Sequence, residues 1–360
     1  VLIRNLTRLA GTMAVVSVVV TGGNAAFAAD EQFDTPEMKA ADALFQRQNP
    51  KAVQAYREII RNQPDNWKAH QRLGAALAGQ VDSEKGKPSD YENAILEEKQ
   101  SIKLNDKYFL PHVTLGQIYS NQQKFDDAVR EFKLAIQKKP DSYRSHLDLG
   151  VAYTYLDQND NAISAYESAS KLKPDEAVPH LNLGVLYQSK GDYPSAITHE
   201  KKAIELNPKI AEAHINLANI YAEQNKPDEA LDSFKAALKI NPNQPFALSG
   251  VGWMLAKKGD YAEAIKEQRK VLKQFNTFSV ARSRLAQALA DQGNKSEAEK
   301  EFKACMAEKP KPNPICMVEY GKYLQGAGRN EEAKNLYKGA LAQLPNYKPA
   351  QDALASLGGK

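Results

Sequence analysis

An all-α fold of helical hairpins repeated in phase is what the 360-residue sequence predicts, and three observations carry it. A small residue recurs at Gly74, Gly116, Gly150, Gly184, Ala218, Gly252, Ala286 and Gly321, in steps of 34 after a first step of 42 and with a last step of 35. A second series, Ala52, Ala94, Ala128, Ala162, Ala196, Ala230, Ala264, Ala298 and Ala333, keeps the same phase. Small residues at fixed places imply helices that approach closely. Between these marks apolar residues fall at helical spacing, as in Leu181, Val185 and Leu186, then Ala196, Ile197, Ala203 and Ile204. Turn material such as Lys190-Gly191-Asp192 separates the two halves of a unit. Prolines 64, 140, 174, 208, 242, 310 and 345 close them, because proline cannot continue a helix.

The residues Leu149, Gly150, Tyr153, Ala162, Tyr166, Ala169 and Pro174 spell L-G-x-x-Y, then A-x-x-x-[FY]-x-x-A and a closing proline. This pattern resembles the tetratricopeptide (TPR) repeat. The resemblance implies a right-handed α-α superhelix and a register of nine repeats: 33–66, 67–108, 109–142, 143–176, 177–210, 211–244, 245–278, 279–313 and 314–347. A helix over about 348–357 would cap the last apolar face. The expected organisation is therefore a signal peptide over 1–28, an N-terminal segment with a divergent first repeat over 29–66, repeats two to nine over 67–347, and a capping helix and tail over 348–360. Repeat two carries extra residues around GQVDSEKGKPSD, expected as a longer loop. Glu98, Glu200 and Gln268 stand where the second helix usually has an aromatic. They are expected to snorkel outward over looser packing, with a polar pocket as the alternative.

The formal net charge of +4 is too small to argue for nucleic acid or an anionic membrane. At the N-terminus, Arg4 and Arg8 precede a short apolar run, Leu9 to Val20, and Ala26-Phe27-Ala28 follows. These are the three parts of a Sec-type signal peptide, so a bacterial periplasmic or secreted protein is expected. No stable membrane span is expected after its removal. Cys305 and Cys316, the two cysteines, are expected at a helix end and the next helix start, joined as a disulfide.

Five of the six histidines, His70, His112, His146, His180 and His214, fall at the fourth residue of a repeat. Equivalent helices in successive hairpins lie two packing distances of roughly 8–10 Å apart, and a zinc ion holds nitrogens at about 2.0–2.1 Å. One ion cannot bridge two rungs, so packing between helices is expected, and His199 reads as standing alone. No metal and no cofactor are expected. The sequence has no G-x-S-x-G, no H-E-x-x-H and no phosphate-binding glycine loop, and the reading is non-enzymatic.

The TPR resemblance implies instead a concave wall lined by the first helix of each hairpin, along which a protein or peptide lies. The register assigns to it Leu110, Val113, Leu147, Val151, Tyr155, Val178, Leu181, Val185, Ile215, Phe246 and Trp253. Asp148, Asn182 and Asn216 join them from the sixth residues, with Asn219 a turn beyond. Asn182 and Asn216 resemble two rungs of the asparagine ladder that some TPR proteins offer to a peptide backbone. Val113, Leu147, Leu181, Ile215 and Ser249 stand where a chaperone-binding carboxylate clamp needs lysine, so that mode is not expected. The expected function is a protein-interaction scaffold or assembly factor. The alternatives are self-association, with residues 29–50 as the captured segment, and carbohydrate or cell-wall binding at Tyr155, Phe246 and Trp253.

Overall fold

In the computed structural model the described residues are 35–47, 49, 51–82, 89–307 and 313–358. The signal-peptide reading and residues 83–88 of the extra loop of repeat two lie outside them. All regular structure among the described residues is helical, and consecutive helices pack in pairs.

The described residues divide into two compact units after Pro179. The first holds α1 (Pro36–Gln46), α2 (Lys51–Asn62), α3 (Trp67–Asp82), α4 (Ser89–Leu104), α5 (Leu110–Asn121), α6 (Phe125–Lys138), α7 (Tyr143–Tyr155) and α8 (Asn159–Leu172). The division falls inside α9 (Ala177–Ser189). The second unit continues with α10 (Tyr193–Leu206), α11 (Ala211–Glu223), α12 (Pro227–Ile240), α13 (Pro245–Lys257), α14 (Tyr261–Gln274), α15 (Ser279–Asp291) and α16 (Lys295–Met306). It ends with α17 (Pro314–Gly326), α18 (Asn330–Gln343) and α19 (Lys348–Gly358).

The turn inside each hairpin has a common cause. Gln123, Asp157, Gly191, Asn225, Gly259, Gly293 and Gly328 all take positive φ, between 56° and 97°, at the fifteenth position of repeats three to nine. A left-handed residue reverses the chain after the first helix, and the amide after it donates to the carbonyl five residues back, as from Lys226 to Tyr221. The second helices end two residues before Pro64, Pro140, Pro174, Pro208, Pro242 and Pro345.

The small residue of each first helix is explained by what lies over it. A Cβ at Gly116 would come 2.5 Å from Phe132 Cε1, and one at Gly150 would come 2.6 Å from Tyr166 Cε1. Tyr337 covers Gly321 in the same way. Each glycine is thus a socket for the ring that the second helix of its own hairpin brings down. Phe234 is seated differently, against Gly250 of the following hairpin. These rings are at most 1% exposed, and burying one stabilises the fold by about 1.5–3 kcal/mol.

Glu98, Glu200 and Gln268 correct the sequence expectation. They do not snorkel outward: all three are 0% exposed, pressed onto Gly74, Gly184 and Gly252 in the place of the rings. The helix geometry leaves this side chain no other direction, so the polar residue occupies the socket. Gln268 is well satisfied, with Nε2 donating to the Ser249 carbonyl at 2.8 Å and Oε1 accepting from Ser249 Oγ at 2.9 Å. Glu200 accepts one bond, from Asn216 Nδ2 at 3.0 Å. Burial holds both carboxyls well above the usual glutamate value of 4.5; Thr114 and Arg72 partly offset this at Glu98, and Asn216 does at Glu200.

This arrangement has a pH consequence. The folded pKa is raised, so the stability these groups allow is fully present below about pH 4.5 and is lost as pH rises through the folded value. Glu98→Gln with Glu200→Gln should remove that dependence. Denaturant titrations at successive pH values should show the double variant gaining on the parent as pH rises above 4.5. Parallel curves for the two proteins would contradict the assignment.

Candidate functional site: the first-helix wall

Residues five and nine of a repeat share one helix face, four positions apart. In the first unit this face carries Val113, Leu147 and Val151, all buried. Tyr155 follows half-buried, its ring stacked on Phe125 at 4.4 Å with the planes 4° apart. Asp148 points to its neighbours: Arg144 Nε donates to its Oδ2 at 2.7 Å and Gln117 Nε2 at 2.8 Å. The aspartate therefore ties α5 to α7.

In the second unit the wall carries Leu181, Val185 and Ile215, again buried, and Asn219 at 4% exposure. Asn182 is equally enclosed, and its Nδ2 has no hydrogen-bond partner. Asn216 is 0% exposed and spends its amide on Glu200. The structure gives it an internal partner where a peptide backbone was expected.

Of the residues assigned to this wall, Tyr155, Val178, Phe246 and Trp253 are the half-buried ones, the last two on α13. Phe246 and Trp253 pack against the core around Phe234 and Met254 and stand seven residues apart, two turns or roughly 10 Å along one face. Phe246 meets Phe278 edge-on at 5.0 Å between ring centroids. The Arg284 guanidinium lies 4.5 Å from the centre of the Trp253 ring and donates to Ser249 Oγ at 3.1 Å. Burial pushes Arg284 down to about 9.

Family models for the tetratricopeptide repeat match residues 37–98, 112–142, 152–191, 186–225, 211–244 and 255–316. The chain belongs to the TPR superfamily. Among solved structures it is similar to a tetratricopeptide repeat protein from Parabacteroides merdae, with 18% identity over 70% of this chain and 99% of that one and a TM-score of 0.62. It is similar also to yeast Tom70, with 19% identity over 84% of this chain and 61% of that one and a TM-score of 0.47. No curated protein sequence matches the chain. The TPR fold suggests a protein-interaction scaffold, and no described helix is long and apolar enough to cross a membrane.

Within the TPR register, three polar features escape single-sequence reading. Gln188, at position twelve of its repeat, donates to Glu223, at position thirteen of the next, at 3.1 Å. Burial pushes the Glu223 carboxyl up to about 7, while bonds from Gln188 and Tyr193 pull it down. A polar pair at positions twelve and thirteen of neighbouring repeats was the signal for it.

The second feature is the role of the fourth residue. His70 donates from Nε2 to the Pro64 carbonyl at 2.9 Å and pairs through Nδ1 with Glu97 at 2.6 Å. Burial alone would lower its pKa, but these bonds raise it. His112 pairs with Glu131 at 2.7 Å, His146 bonds the Pro140 carbonyl at 2.9 Å, and Arg282 takes both roles with Glu301 and the Asn276 carbonyl. His70 and Arg282 thus hold their own hairpin shut and the previous helix end in place, while His112 does the first and His146 the second. The third feature follows from it: His199 does not stand alone. It meets His180 across the fifth hairpin, Nδ1 to Nδ1, at 3.0 Å.

The structure pairs Cys305 with Cys316 as a disulfide, Cα to Cα 5.8 Å, both 0% exposed. It links the last turn of α16 to the first turn of α17.

Proposed function

We propose that the chain is a non-catalytic scaffold that holds a segment of another polypeptide along the first helices of its hairpins. The observation supporting this reading is the half-buried Phe246 and Trp253 on one face of α13, each with part of its ring open, and the Arg284 guanidinium beside Trp253. Tryptophan, aromatics and arginine are the residue types that dominate protein contacts. Gln188 and Glu223 bond one another, and Asn182 and Asn219 are enclosed, so the polar residues of this wall brace the hairpins. Asn216 acts only through Glu200. We take the protein to be exported, on the N-terminal pattern of a basic start, an apolar run and Ala26-Phe27-Ala28 and on the Cys305–Cys316 bridge.

The test is Phe246→Ala combined with Trp253→Ala, assayed by in-cell crosslinking and quantitative recovery of the partner. Loss of a two-residue anchor should weaken capture by about 2 kcal/mol or more, roughly thirtyfold. The helical circular dichroism spectrum should be unchanged, as should capture by Lys235→Ala on the exposed face of α12. Undiminished capture by the double variant would remove the reading. A partner that proves to be a second copy of the chain, seen by light scattering, would redirect it to self-assembly.

A further inference from the structure

We propose that His180 and His199 form a two-nitrogen site for a divalent transition-metal ion that staples α9 to α10 within the fifth hairpin. In three other repeats the rung formed by the fourth and twenty-third residues is charge-matched, His70 with Glu97, His112 with Glu131 and Arg282 with Glu301, while His146 and His214 have Ala165 and Ser233 at the twenty-third position. Only a nitrogen faces His180. Two nitrogens on one ion, each at about 2.0–2.1 Å and separated by roughly 90–110°, lie about 2.8–3.4 Å from one another. The two Nδ1 atoms are already 3.0 Å apart. The rings are inclined by 25°, with centroids 5.2 Å apart. Tyr187 stacks on His199 at 5.4 Å with the planes 3° apart, which fixes the orientation of that ring.

In the metal-free pair one Nδ1–H donates to the other Nδ1. When an ion enters, that ring carries its proton on Nε2 instead, both Nδ1 lone pairs turn to the metal, and no net proton is lost. A metal requires both rings neutral. Both histidines are half-exposed, so water completes the coordination shell. Among the described residues no third histidine, cysteine or carboxylate joins them. Lys202 opposes any cation, so the ion must be one that imidazole binds strongly. Ni²⁺, Cu²⁺ and Zn²⁺ qualify, whereas Mg²⁺ and Ca²⁺ prefer oxygen.

The experiment is calorimetric titration of the full chain with Ni²⁺, and with Mg²⁺ as the contrast. One Ni²⁺ site is expected, weakened in both His180→Ala and His199→Ala by at least the roughly tenfold that even an outer-shell partner costs. It should persist in His146→Ala and His214→Ala, and Mg²⁺ should not compete. Copper electron paramagnetic resonance should report two coordinated nitrogens in the parent and fewer in each variant. Circular dichroism establishes that the variants are folded. Absence of Ni²⁺ binding, or a Ni²⁺ isotherm that His199→Ala leaves unchanged, would overturn the proposal.

Discussion

Phe234→Ala should cost about 3–5 kcal/mol, the range for deleting a fully buried ring from a close-packed core. Phe234 is 1% exposed and sits against Gly250, in a cluster with Ile215, Ala218, Ala237, Ala247 and Met254. It comes from α12 and seats on α13, so its loss opens a gap between two hairpins. Glycine at 250 cannot fill the gap, because it has no side chain to move. In a solenoid, stability is close to a sum of repeat and nearest-neighbour terms, so the damage should be concentrated near these hairpins. The two tryptophans make this measurable: Trp67 lies in the first unit and Trp253 on α13 itself. With Trp67→Phe as background, the Trp253 fluorescence transition in urea should move to much lower denaturant on adding Phe234→Ala. In a Trp253→Phe background, the Trp67 transition should move less. Equal shifts would mean that the ring does not act as a local wedge.

Removal of the disulfide, by Cys305→Ser with Cys316→Ser, should cost about 3 kcal/mol on the chain-entropy account. The closed loop spans a sequence separation of 11, and the cost of closing it returns to the unfolded chain. Both sulfurs are 0% exposed, so reduction of the parent requires the α16–α17 junction to open. The predicted signs are a lower thermal midpoint for the double variant and the same midpoint for parent protein unfolded in reductant. Mass spectrometry of the oxidised parent should show no alkylated thiol. A midpoint indifferent to reductant would remove the bridge from the account.

Much of the fold was legible because helix packing admits few solutions. Gly116 and Gly150 announce close approach, and the rings of Phe132 and Tyr166 complete it within the same hairpin. The turns were half legible: Gly191 and Gly259 show the need for a left-handed residue, Asp157 and Asn225 are types that tolerate it, and Gln123 meets it at some strain and without a signature. Glu200 misled because a carboxylate reads as a surface group, whereas its position directs it onto Gly184 whatever its chemistry. Asn216 misled with it, since its partner lies 16 residues back in another helix. His199 was missed for a similar reason: the hairpin pairs residues 19 apart, a spacing no local metal motif uses.

Leu147, Val151, Leu181 and Ile215 were assigned to the wall by register, yet they are nearly closed to solvent. Register says which way a residue faces but not how much of it the neighbouring helices cover. Phe246 and Trp253 keep part of their surface open and stand on one helix face, which is where the binding proposal concentrates.

Photocrosslinking in intact cells from single engineered positions on the two sides of these hairpins tests that proposal most directly. A photoreactive side chain at Phe246 and at Trp253 should join the same short stretch of one partner polypeptide, mapped by peptide mass spectrometry. The same group at the exposed Lys235 and Lys270, on second helices, should join none of it. Crosslinks to that stretch from the second-helix positions, or none from α13, would contradict the account.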